Sequence, residues 1–188
     1  MLLQALVFLL DTFLGLFVAA LLVRFYLQIA RAPARNQISQ FIAALTDWIV
    51  RPARRVIPGW AGLDLSTLVL AWLTQFLLLI ITHILTSMAG LPIIALAVMA
   101  VIAVVRTSLY ILMGALIVQA VLSWVGQHSP IAPVVNALTR PFLRPIQKRV
   151  PPVGNVDLSP LLLLVALQLV VQMLLPWFGG ALLSLFGG

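Results

Sequence analysis

Apolar residues arrive along this chain in long blocks separated by two charged, proline-containing connectors. Residues 2–29 form the first block, in which Asp11 and Arg24 are the charged interruptions. Its length suits a membrane-spanning helix, which needs about 20 residues. The amino end carries no Lys or Arg and no small-residue cleavage site closes a short core, so an uncleaved span is expected. A polar connector runs from Ala30 to Gly62. Within it Ile38, Phe41, Leu45, Trp48 and Ile49 recur at spacings of three and four, which predicts an amphipathic helix, with Ser39 as its cap and Asp47, Arg51, Arg54 and Arg55 mostly off the apolar stripe. That helix is too short and too charged to cross, and is expected in the membrane interface with its aromatic face down. A second span begins after Asp64-Leu65-Ser66 and runs to about Leu85.

Residues 88–125 are apolar for too long a stretch to be one crossing, with Pro92 and Arg106 inside it. An internal repeat resolves the ambiguity. The stretch Arg51 to Ser66 reappears at Arg144 to Ser159, keeping Pro52 with Pro145, Pro58 with Pro151, Asp64 with Asp157 and Ser66 with Ser159 at one offset, and a basic pair in each copy. A fixed offset of this kind marks a tandem duplication of one structural unit. Shifted by the same amount, the first span predicts a third near 99–122, leaving 88–98 as an interfacial connector in which Pro92 is tolerated because its backbone groups reach water. Ser129 to Val156 repeats the polar connector, with Ile131, Val134, Val135, Leu138 and Phe142 as its stripe. The fourth span is expected over about Ser159 to Leu175, with Ser159 at the cap and Pro160 at the first helical position. Pro176-Trp177-Phe178-Gly179-Gly180 is expected to end it and leave a short apolar tail. The expected fold is thus an all-α membrane protein of four transmembrane helices in two tandem parallel repeats, 1–87 and 99–188, each carrying an interfacial amphipathic helix. Two spans per repeat give both repeats one orientation, related by a two-fold axis along the membrane normal.

Composition agrees: 63% of the 188 residues are apolar, 8% are charged, and mean hydropathy is +1.19. The net charge of +7 reflects Arg and Lys flanking the spans, without the polar sheet or zinc spacing of a nucleic-acid binder, and no nucleic acid is expected as a partner. Arg31, Arg35, Arg51, Arg54, Arg55, Arg140, Arg144, Lys148 and Arg149 all lie in the two connectors. By the positive-inside rule both connectors are cytoplasmic and both termini outside. With no cysteine there is no disulfide and no thiol nucleophile. No nucleophile elbow, metalloprotease, P-loop or dinucleotide motif appears, so neither catalysis nor a cofactor or metal is expected.

Some polar residues stand out. Asp64 and Asp157 occupy equivalent places before a span, where the helix dipole favours a carboxylate and basic residues of the same motif can pair with it; a cation site at a cytoplasmic pathway mouth is the alternative. Gln75 and Gln168 are one repeat apart near mid-bilayer, and can bond across the pseudo-axis or line a polar path. Asp11 and Arg106 fall at similar depth on the first and third spans, which predicts an ion pair between them. His83 and His128 are not repeat equivalents and lie toward opposite faces. Trp48, Arg51, Arg54, Arg55, Arg144, Lys148 and Arg149 make the connectors a surface for anionic lipid head groups or a protein partner.

The repeated signature, a Pro, a basic pair, Val/Ile-Pro, Gly and Asp-x-Ser at Arg51 to Ser66 and Arg144 to Ser159, resembles that of the YggT/YlmG family of small bacterial and plastid membrane proteins. In the family an Asn-Pro-Phe turn often opens each connector helix, where this chain has Asn36-Gln37-Ile38 and Ser129-Pro130-Ile131. The resemblance implies a bacterial inner-membrane protein tied to osmotic or potassium tolerance, to cell division and nucleoid distribution, or to assembly of membrane complexes, with no enzymatic activity. Two functions follow as expectations: a scaffold or assembly factor presenting basic amphipathic helices to a partner complex or anionic lipid, or a small oligomeric ion (potassium) channel or transporter.

Overall fold

The computed structural model describes residues 1–32, 36–57, 59, 63–87, 92–125, 129, 131–150 and 158–186. Among the described residues four helices are long and apolar enough to cross a membrane: α1 (Leu2–Ile29), α3 (Leu65–Thr86), α4 (Ile93–Val125, spanning within Ile93–Leu122) and a last span over Ser159–Leu182. The last span is composite, made of α6 (Ser159–Leu169), a π-helical turn (Val170–Leu174) and α7 (Leu175–Phe186). Two shorter helices, α2 (Gln37–Val56) and α5 (Ala132–Gln147), fill the connectors. The order span, connector helix, span occurs twice, as a duplicated unit requires. This is a multi-pass helical membrane protein.

Each helix boundary has a local cause. α1 closes in a Schellman turn in which Arg31 N–H donates to Gln28 O (3.1 Å) and Ala32 N–H to Leu27 O (2.9 Å). The turn needs a left-handed residue, and Arg31 takes that place with φ 49° where glycine is usual. Asn36, and not Ser39, caps α2: its Oδ1 accepts from Ile38 N–H at 2.8 Å. α4 begins at Ile93, where Leu96 N–H reaches Pro92 O (2.9 Å). Residues 93–98 therefore belong to the third span and not to the connector expected there, because a proline just outside the first turn lacks only a donor that the helix would leave unpaired anyway. Leu158 is the N-cap residue of α6 and Pro160 lies in its first turn.

The fourth helix does not stop at Pro176. A proline in a helix lacks the N–H for the carbonyl four residues back and its ring crowds that carbonyl. Here the turn before it widens, with Leu175 N–H bonding to Val170 O five residues back, and the chain stays helical to Phe186. An extra residue in one turn accommodates the proline where a break was expected.

Two apolar clusters hold the bundle. Val18, Leu21 and Leu22 of α1 meet Val50 of α2, Ala71 of α3 and Val104 of α4. Leu116 of α4 meets Leu143 of α5 with Leu163 and Leu167 of α6. The connector helices dock alike in both copies. Thr46 and Val50 of α2 are fully buried, as are Thr139 and Leu143 at the equivalent positions of α5. Each threonine returns its hydroxyl to the carbonyl four residues back, Ile42 O at 2.7 Å and Val135 O at 2.9 Å, so a polar side chain is buried without an unmet donor.

Candidate functional site

The chemistry-bearing residues gather where the connector helices meet the span ends. Asp64 is the N-cap residue of α3 and is only 4% exposed. Its carboxylate accepts from Arg54 Nε at 3.0 Å and Nη2 at 2.5 Å, from Thr67 Oγ1 at 2.6 Å, and from the Ser66 hydroxyl. Burial alone would raise this carboxyl. The Arg54 hydrogen bonds, then those of Ser66 and Thr67, outweigh burial and hold it down at about 2. The Asp-x-Ser signature is thus a staple: Arg54 in the last turn of α2 is bound to the first turn of α3, and the loop between them is closed. Gly59 lies in that loop, where a Cβ would sit 3.0 Å from Leu63 O and crowd the backbone just before Asp64.

A second staple joins α2 to α1. Arg24 Nη1 donates to Asp47 Oδ1 and to Thr46 Oγ1, both at 2.7 Å, and Arg51 pairs with Asp47 Oδ2 at 2.7 Å. The Arg24 side chain is 14% exposed, and its hydrogen bond is the largest of the effects that lower the Asp47 carboxyl. Sequence reasoning singled out neither Arg24 nor Asp47 for a site. The signal was present in part: a cation inside an apolar span needs a partner, and Asp47 with Arg51 has the i,i+4 spacing of a helical ion pair.

With its inward side fixed, α2 turns Phe41, Leu45 and Trp48 outward, at 63%, 43% and 68% exposure. The apolar stripe expected on this helix is divided, for Ile38 and Ile49 are half-buried while these three face away from the bundle. Trp48 leans on Phe17 of α1, with ring centroids 5.8 Å apart. Arg51 and Arg55 are exposed beside it, as are Arg144, Lys148 and Arg149 at the end of α5.

Other expected pairings do not form. Gln75 is buried in α3, but Gln168 is exposed on α6, so the two amides do not meet. Equal depth along repeat-related helices did not give them facing directions. The same holds for Asp11 and Arg106: both are exposed, and among the described residues the ion pairs are those of Asp47 and Asp64. His83 lies half-buried near the end of α3. Asp157 and His128 lie outside the described residues.

Comparison with known proteins places this arrangement. The CCB3/YggT family model matches residues 3–85 and again 98–178, each match covering one span, connector helix, span unit. The chain is 38% identical over 169 residues to the uncharacterized protein PA0392 of Pseudomonas aeruginosa, covering 88% of this chain and 86% of that one. It is 34% identical over 168 residues to the uncharacterized protein YggT of Escherichia coli K12, covering 89% and 87%, and 33% identical over 163 residues to a Vibrio alginolyticus protein encoded in the proC 3′ region, covering 86% and 88%. No solved structure matches it. With both halves matched in register and relatives alike over most of their length, the chain belongs to the CCB3/YggT family.

Proposed function

We propose that this protein is a non-enzymatic scaffold or assembly factor of the bacterial inner membrane, with both connectors cytoplasmic, both termini outside, and the connector helices presented to a partner complex. The observation that carries this reading is the outer face of α2, where Phe41, Leu45 and Trp48 are exposed beside Arg51 and Arg55 on a helix whose inner face is held by Arg24–Asp47 and Arg54–Asp64. Aromatic and arginine side chains on a rigid support are the kind of surface from which protein interfaces draw most of their binding energy. The polar residues of the spans support the scaffold over an ion path, since Gln168, Asp11 and Arg106 are exposed on outer faces and do not converge with Gln75.

The test is purification in mild detergent of the wild-type protein and of a Phe41→Asp, Trp48→Asp variant. A stoichiometric protein retained by the wild type and lost from the folded variant is expected. Wild-type protein that purifies without a partner and conducts potassium in liposomes would overturn the scaffold.

A further inference from the structure

The two repeats treat the junction between connector helix and span differently. In the first, the chain supplies both charges: Asp47 on α2 faces Arg24 on α1. In the second, the position of Asp47 is held by Arg140 and that of Arg24 by Ile117. No anion from the described residues pairs with Arg140, Arg144 or Lys148, which stand at i, i+4 and i+8, one cationic stripe along the end of α5. α5 also borders a cavity of about 310 Å³, lined by Tyr26 of α1, Ser108 and Leu112 of α4, and Leu138, Pro141 and Phe142 of α5. Arg144 follows Pro141 by three residues, which makes it a neighbour of that lining on the helix surface.

Water is a poor occupant. A buried water needs two to four polar partners, and the lining is almost entirely apolar, with the Ser108 hydroxyl already given to Val104 O at 2.7 Å. The lining runs along α4 from Ser108 to Ala115, about 10 Å at 1.5 Å per residue, from mid-helix toward the level of α5. What fits is a molecule with an apolar tail of that length and an anionic head at its α5 end. In a chain that spans a bilayer, the surrounding leaflet supplies such a molecule at high concentration.

We infer that the second repeat binds one anionic phospholipid, an acyl chain in the α1–α4–α5 cavity and the phosphate on Arg140 and Arg144. The lipid then does for α5 what Asp47 does for α2, supplying the anion that the chain lacks there. Binding at this cavity is independent of the scaffold reading, because it does not use the outer face of α2 and requires no partner protein.

The test uses full-length protein in phosphatidylcholine liposomes containing phosphatidylglycerol with a photoreactive group near the end of one acyl chain. After irradiation, adducts should concentrate on 108–115 and 138–142, and unlabelled phosphatidylglycerol should compete at least several-fold better than unlabelled phosphatidylcholine. Arg140→Gln with Arg144→Gln changes only exposed side chains and should lower labelling several-fold, as should filling the cavity by Leu112→Trp, whereas Arg55→Gln should leave it unchanged. Adducts spread evenly over outward residues such as Leu73, Leu77 and Val101, equal competition by both lipids, or labelling unmoved by the double arginine variant would each overturn the inference.

Discussion

Replacing Asp64 by Asn keeps the size of the side chain and removes the charge that Arg54, Ser66 and Thr67 all address. Holding a carboxyl at about 2 in place of its ordinary 3.8 corresponds to about 2.4 kcal/mol in favour of the charged form. The Arg54 side chain is 46% exposed, and solvent screening leaves roughly half of that, near 1 kcal/mol, as a stability contribution. The amide adds a second cost. One of its two ends is a donor, so Ser66, which faces that end, must turn its hydroxyl to accept, and the O–H of this fully buried residue loses the carboxylate it pointed to, at about 1–3 kcal/mol. The expected loss is about 2–4 kcal/mol, read as a shift in the unfolding midpoint during a sodium dodecyl sulfate titration of mixed micelles followed by far-ultraviolet ellipticity. Arg54→Gln should cost less, about 1 kcal/mol, since an amide can still donate to the carboxylate; the second repeat carries Gln147 in that place. The pH dependence has a definite sign. Between pH 3.8 and about 2 the unfolded chain holds more protons at this carboxyl than the folded one, so the contribution is complete above pH 3.8 and is lost as pH falls toward 2. The Asn variant should lack that acid limb. A variant within about 0.5 kcal/mol of wild type, the range of an ordinary surface substitution, with the acid limb intact, would refute the staple.

Asp47→Asn should loosen α2 from α1 and leave Arg24 short of its anion, at about 1–3 kcal/mol; faster amide hydrogen exchange confined to α2 is the expected readout, and exchange unchanged there would contradict it. Arg31→Gly should stabilise the protein by about 1 kcal/mol, because the left-handed position that closes α1 costs a side chain what it does not cost glycine; a lowered midpoint would show that the arginine has another task. In this cysteine-free chain, Val56→Cys and Arg144→Cys, both exposed, should resist an impermeant thiol reagent in intact cells and react after permeabilisation, and labelling of either from outside would remove the shared sidedness of the connectors.

The spans were legible because apolar length is a one-dimensional property. The first span has its expected limits and α3 ends within one residue of its own. Boundaries set by prolines were less legible: Pro92 and Pro176 have the same missing donor, yet one precedes a helix and the other lies within one, and what decides is whether a neighbouring turn can widen. The Arg54–Asp64 staple was readable because both residues lie in one repeated motif, ten positions apart. Arg24–Asp47 was not, since its partners come from different helices and only packing brings them to 2.7 Å. For Asp11 and Arg106, and for Gln75 and Gln168, sequence position fixes depth along a helix axis but not the direction in which the side chain leaves it.

The π-helical turn at Val170–Leu174 changes how the two copies should be compared with each other. Inserting one residue into a helical turn rotates everything after it by about 100°, the angle between successive residues. α3 is α-helical without interruption over Leu65–Thr86, so beyond Val170–Leu174 equal sequence position in the two copies does not mean equal facing direction. Gly179, whose Cβ would stand 3.4 Å from Ile102, faces α4 in that turned segment, and its contact has no counterpart that a comparison of the two sequences alone would find.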